Sequence, residues 1–195
     1  MAALVPNSVL PDANIWVSQT LHSWFALIAA ETRGDWRFYW TEDILAEALY
    51  HRRKRWPQAP SCWVEKARDR LMVSMGDHRI DSFEIDTSVS YPDGFDAHVH
   101  SAAVKAGIAH VVSDDRKGFV GLYDDPDDCP YEVYTADEFL CLVAESAMPV
   151  IDAVIKLQHE YFCGLGKPFS LPSKLETANA HRFAEVVRQR LQVIL

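Results

Sequence analysis

Asp12, Glu47, Asp96 and Asp115 are the residues of this 195-residue chain whose types and spacing carry chemistry. Four carboxylates brought to one place repel one another and raise one another's pKa values, which makes sense chiefly if divalent cations neutralise them. Donor sets made only of oxygen favour Mg2+ or Mn2+. A cluster of this kind with one or two ions activates a water and steadies charge on a phosphodiester during in-line hydrolysis.

Two of the acids belong to the stretch Phe95 to Phe119, around which the rest of the chain is arranged. Phe95, Val99, Ala102, Ala103 and Ala106 repeat at helical spacing, and Gly107 supplies the stop. The spacing thus predicts a helix with Asp96 in its first turn, where exposed amides favour a carboxylate. Ile108, Val111 and Val112 read as a short strand buried on both faces, with Ser113, Asp114 and Asp115 released at its carboxyl end. In open α/β sheets ligands bind at that edge.

The other two acids each have a plain reading beside the chemical one. Ser8, Val9 and Leu10 form a first strand ending at Pro11-Asp12, and Asp12 suits the N-cap of a following helix over residues 13–30. Glu47 lies more than a turn into a helix capped by Thr41, beyond the reach of cap and dipole, with His51 and Lys54 one and two turns on. An exposed acid paired with a basic neighbour would look the same. His51-Arg52-Arg53-Lys54-Arg55 is the densest basic run, either a solvated helix end or a set of phosphate contacts.

Arg37 to Trp40 reads as a second strand, Ser61 to Met75 as an amphipathic helix, Ile80 to Ile85 as a third strand and Tyr131 to Tyr134 as the last. Thr135 caps a helix to about Ser146. Pro149 opens another to about Cys163, and Ser173-Lys174-Leu175-Glu176 reads as a capping box for a final one. The alternation predicts a parallel sheet of about five strands between helices, with a helical hairpin appended. Residues 1–148 are thus read as the core domain and 149–195 as a C-terminal helical extension. In this fold Asp12, Asp96 and Asp115 crowd one sheet edge, and the second helix can turn Glu47 toward it.

The net charge of −9 argues against a general polyanion binder, although a local basic patch can still hold phosphate. Cys62, Cys129, Cys141 and Cys163 form no CxxC pair and no zinc spacing, as expected of reduced thiols in a cytoplasmic protein. The start of the chain lacks the pattern of an export signal, and no run is long enough to span a bilayer. The acidic loop Asp124 to Asp128 lacks the glycine and glutamate of a calcium loop and reads as a solvated turn.

Taken together, four short segments resemble the PIN-domain nuclease family. These are Val9 to Asn14, Thr41 to Glu47, Asp96-Ala97-His98 and Val111 to Asp115. The resemblance implies a three-layer α/β sandwich whose acids bind Mg2+ or Mn2+. By position Asp12, Glu47, Asp96 and Asp115 match the metal-binding acids and Asn14 and Ser113 the polar residues that hold them. Asp114 competes with Asp115, which is preferred because the motif usually leaves one residue after its Ser or Thr. Many bacterial members are VapC-type toxins that cut RNA and are silenced by a small antitoxin. That similarity implies an endoribonuclease of a type II toxin-antitoxin pair, with an antitoxin and a homodimer as possible partners. His51 to Arg55, Arg116 and Lys117 are then candidate RNA contacts.

Other readings remain beside it. Asp96-Ala97-His98-Val99-His100 is similar to the HxH signature of amidohydrolases, but a barrel of about 250 residues does not fit the roughly ninety-five that follow, which read mostly as helices. As a helix, the segment sends His98 and His100 to different faces, and His100 lies within reach of Asp96. A PIN-like DNA nuclease and a non-catalytic PIN-like interaction module are the alternatives.

Overall fold

The computed structural model describes residues 5–119 and 121–194. Its centre is a parallel sheet built from β1 (Val5–Pro11), β2 (Arg37–Phe38), β3 (Ile108–Val112) and β4 (Glu132–Tyr134), in the order β2-β1-β3-β4. Leu10 aligns with Val111 and Pro11 with Val112, so the two central strands end level with each other. The chain moves one way across the sheet from β1 to β2 and the other way from β2 to β3. Right-handed crossovers then place the intervening helices on opposite faces. The point of reversal lies between β1 and β3, where an open α/β sheet leaves a crevice.

Between β1 and β2 run α1 (Ala13–Val17) and α2 (Gln19–Glu31). The periodicity predicts one continuous helix here. Ser18 divides it by adopting an extended backbone and accepting the Leu21 amide, which starts a new helix. Thr41 accepts the Ile44 amide to open α3 (Glu42–Arg55), with Glu42 and Asp43 in the first turn and four basic residues in the last. α4 (Ser61–Met75) follows and stops at Gly76. Next comes α5 (Ala97–Ala106), which ends at left-handed Gly107 and packs on β3.

Two local expectations are corrected. Ile80 to Ile85 is not a strand: Ile80 donates one backbone bond to Trp40, then Ser82 takes a positive φ and the extended path is lost. The described sheet therefore has four strands rather than about five. A single 3₁₀ turn over Gly94–Asp96 precedes α5, so Phe95 never joins the helical face and is 80% exposed.

After β4, α6 (Ala136–Ser146) begins with a capping box between Thr135 and Glu138. The tail holds three helices rather than a hairpin: α7 (Met148–Gly164), α8 (Leu171–Thr177) and α9 (His181–Ile194). Ser173 does not cap. Ser170 accepts its amide and opens α8, while the Asp137 carboxylate accepts the Arg182 and Phe183 amides at the start of α9. Phe139 of α6 meets Phe25 at 5.4 Å and Trp36 at 5.3 Å between ring centres, and Phe183 of α9 meets Trp24 at 4.9 Å. The tail thus shares the aromatic core of the sheet domain, and such pairs add to plain burial. Among the described residues no helix is long and apolar enough to cross a membrane, and all four cysteines are free thiols.

Candidate metal centre and nucleic-acid interface

Because β1 and β3 end level, the residues that follow them meet across the crevice. The Asp12 amide donates to Val112 O at 2.9 Å and the Ser113 amide to Tyr134 O at 2.9 Å, which extends the ladder past both strand ends. The Ser113 hydroxyl donates to Asp12 Oδ2 at 2.9 Å and accepts from Asn14 Nδ2 at 2.8 Å and from the Asp115 amide at 3.1 Å. Asn14 Nδ2 also donates to Asp12 Oδ2 at 2.7 Å, while its Oδ1 accepts the Asp114 amide at 3.3 Å. Both ends of the Asn14 amide are thereby spoken for, which fixes which way it faces.

Asp12 is 6% exposed, and burial pushes its carboxyl pKa upward. The hydrogen bonds from Ser113 and Ala13 oppose that shift, and the charge of Glu47 adds to it. Asp12 also accepts the Ala13 amide at 2.6 Å, so it caps α1 as well as standing in the crevice. Oδ1 thus serves the helix cap while Oδ2 is bonded to Asn14 and Ser113.

Asp96 is pushed up to about 7, first by burial and then by the charges of Asp12, Asp93, Asp115 and Glu47. Its carboxylate lies against Gly118, where an added Cβ would stand 1.6 Å from Oδ2. That glycine is a site residue the sequence pattern does not single out. Glu47 is held by two imidazoles, His51 Nε2 at 3.5 Å and His98 Nε2 at 3.3 Å. Burial pulls the His98 pKa down, but its hydrogen bond to Glu47 and the charges of Glu47, Asp43 and Asp12 outweigh this and raise it. His100 does not reach Asp96. It is fully buried, with Nδ1 at 2.7 Å from the Tyr131 hydroxyl.

Asp114 and Asp115 have separate duties. Asp114 Oδ1 accepts the Ala136 amide at 3.0 Å and so anchors the start of α6. Asp115 Oδ1 receives the Lys117 amide at 3.4 Å, and its charge is felt at Asp96.

The six lysine and arginine candidates divide sharply. Arg52 is 5% exposed, and its Nε and Nη2 donate to Trp16 O at 3.2 and 2.6 Å. Two of its donors are thereby committed to that carbonyl. Arg53 Nη1 donates to Ala59 O at 2.6 Å and so closes the turn after α3. Arg116 pairs with Glu138 at 3.2 Å. Lys54 and Arg55 line a cavity of about 400 Å³ together with Asn14, Glu47 and His51, beside the acids. Lys117 is exposed next to Asp115.

Among the described residues, no lysine or arginine side chain bonds to Asp12, Glu47, Asp96 or Asp115, so no such cation offsets their mutual charge. Every candidate donor is a carboxylate oxygen, which fits Mg2+ or Mn2+ in kind. Among the described residues no three His, Cys, Asp or Glu side chains are gathered closely enough to hold an ion. The acids therefore form an electrostatically coupled cluster rather than a closed cage.

A parallel α/β sandwich with acids at its topological switch point places them where open α/β sheets bind ligands. The sequence profile of the PIN domain matches residues 8–117, and the chain belongs to that family. PIN domains are generally nucleases and typically use divalent metal ions. Comparison with curated proteins and with solved structures returned no match.

Proposed function

We propose that the chain is a divalent-metal-dependent endoribonuclease and the toxin of a type II toxin-antitoxin pair. What supports the metal-dependent reading is that Asp12, Glu47, Asp96 and Asp115 bear on one another at the switch point with no lysine or arginine paired to them among the described residues, so that burial and neighbouring carboxylates push Asp96 up to about 7. A group in that state releases its proton readily when a cation arrives and is poorly tolerated as an anion without one. Asp12, Glu47, Asp96 and Asp115 would hold Mg2+ or Mn2+. A bound ion of this type supplies a water of lowered pKa and neutralises charge on the phosphodiester.

The protein's own residues do the positioning. Asn14 and Ser113 orient Asp12, Gly118 leaves room for Asp96, and His51 and His98 hold Glu47. Lys54 and Arg55, in the same cavity as Glu47, bind backbone phosphates of the substrate, with Lys117 beside Asp115 as a further contact. Basic charge at this edge lets a chain of net charge −9 still engage RNA. The toxin assignment rests on resemblance to VapC-type chains, with a small antitoxin and a second copy of this chain as proposed partners in the cytoplasm.

A second reading, a non-catalytic interaction module, is favoured by one observation, the absence of a ready three-ligand group among the described residues. Cleavage of a mixed RNA pool with Mn2+, Mg2+ or EDTA, beside Asp12→Asn and Asp96→Asn, separates the two. Cutting that needs metal and both acids supports the nuclease. No cutting under any metal, by protein free of a bound inhibitor, selects the module, and metal-dependent cutting of DNA alone selects a DNA nuclease.

A further inference from the structure

Away from the acids, α2, α4, α7 and α8 border an open cavity with two lobes. The larger, of about 670 Å³, is walled mainly by apolar groups such as Leu27, Val73, Leu157 and Phe162. The smaller, of about 340 Å³, is lined by Arg52, Arg70 and Lys174. His22, Arg70, Gln158 and Phe162 line both, so the two lobes adjoin. Each lobe falls in the usual size range of small-molecule sites.

The polar groups on its walls are mostly donors. Ser74 has one hydroxyl proton and gives it to Arg70 O at 2.9 Å, so the contact of 2.7 Å with His22 Nε2 is a donation from the imidazole. His22 Nδ1 then carries a lone pair and accepts from Arg52 Nη2 at 3.1 Å. His22 is neutral in this relay, in keeping with a pKa lowered to about 4 by burial and then by Arg52 and Arg70. With Nε and Nη2 committed to Trp16 O, Arg52 has Nη1 left for a ligand.

Lys174 lies 4.7 Å over the Phe162 ring. Among the described residues neither Arg52, Arg70 nor Lys174 bonds to a carboxylate, although the chain carries a net charge of −9. Gln158 is 6% exposed, and its Nε2 has no partner. A buried amide donor without an acceptor is rare in a folded protein. The walls carry one carboxylate, Asp69, in the apolar lobe.

We propose that this cavity binds a nucleoside monophosphate, with its phosphate on Arg52, Arg70 and Lys174 and its base in the apolar lobe. Three convergent cations suit a phosphate better than a single carboxylate. The apolar wall formed by Leu27, Val73 and Leu157 covers a base, and the Gln158 amide supplies an edge donor of the kind that reads bases. Asp69 accepts from ribose hydroxyls. A fatty acid would leave both Gln158 and Asp69 unmatched. The nucleotide is either free or the phosphorylated end of an RNA chain, and neither source depends on the catalytic reading.

Titration calorimetry of the full chain in EDTA tests this, using adenosine 5′-monophosphate, inorganic phosphate, decanoate and a 5′-phosphorylated oligoribonucleotide as probes. The monophosphate is expected to bind about tenfold or more tighter than inorganic phosphate, a difference set by the base and ribose. Arg70→Gln and Lys174→Gln, both at exposed positions, each weaken it about tenfold with the melting temperature kept. Gln158→Leu weakens the nucleotide but not phosphate, and Asp96→Asn changes neither, so this site and the catalytic reading fail separately. Tighter binding of the oligomer than of the monophosphate, lost in the same two variants, assigns the site to an RNA end. No nucleotide binding, binding indifferent to Arg70→Gln and Lys174→Gln, or binding of decanoate alone overturns the proposal.

Discussion

The Asp96 carboxylate occupies the space that a side chain at position 118 would take, with Oδ2 only 1.6 Å from where a Cβ would stand. Gly118 lies in a short 3₁₀ turn, so this glycine is there for room rather than for an unusual backbone. Gly118→Ala must move Asp96 or the turn by an ångström or more. Displacement on that scale costs about 10²-fold in rate when it reaches a catalytic group. The expected result is that loss in RNA cleavage with circular dichroism unchanged. Full activity in the alanine variant would remove Asp96 from the site.

Asp96 also sets a pH dependence. A carboxyl whose folded pKa exceeds its unfolded one binds more protons when folded, so its stabilising effect is complete below about 4. That contribution is lost as pH rises to about 7. Asp96→Asn is therefore expected to melt above the parent at pH 8 in EDTA, with the difference closing toward pH 4. Mg2+ should raise the parent's melting temperature at pH 8 and leave the variant's nearly unmoved. A variant that melts lower than the parent at pH 8 would contradict the repulsion described.

His22 acts in the opposite sense. Its folded pKa is lowered to about 4, so the neutral form is the one the fold accepts. Stability that is complete above about 6.5 is lost as pH falls toward about 4, because the unfolded chain takes up the proton first. His22→Gln is expected to flatten that acid limb in a series of thermal melts. An unchanged limb would place the acid sensitivity elsewhere.

Arg52 and its neighbours separate stability from binding. Arg52→Met leaves the Trp16 carbonyl without its donors and should cost about 1–3 kcal/mol in denaturant unfolding. Lys54→Gln and Arg55→Gln are exposed changes, expected within about 0.5 kcal/mol of the parent. Each of these two should instead reduce the salt slope of RNA binding by about one. The reverse pattern would return Arg52 to the nucleic-acid interface.

How far the sequence discloses this site depends on the range of the interactions. Asp12 and Asp115 are legible because Pro11 and Gly107 punctuate the chain and short apolar runs mark strand ends, all of it local information. The fate of Arg52 is not, since its neighbours in the basic run are chemically alike and the deciding partner is a carbonyl in α1. The hold of His98 on Glu47 joins two helices with no shared pattern. Ile80 to Ile85 misleads because its apolar residues suit a strand, while the turn at Ser82 denies them one. Gly118 is silent in the sequence, because only the carboxylate above it gives its missing side chain a purpose.

The pairing of β1 with β3 joins strands separated by about a hundred residues. Closing a loop of that size is entropically costly and slow compared with local folding. During synthesis, Asp12, Glu47 and Asp96 all leave the ribosome before Ser113, the group that secures Asp12 from the neighbouring strand. A nascent or prematurely ended chain thus carries most of the acids and none of their arrangement. Under the proposed ribonuclease function, the strand order would delay assembly of the acids until the centre of the sheet has closed.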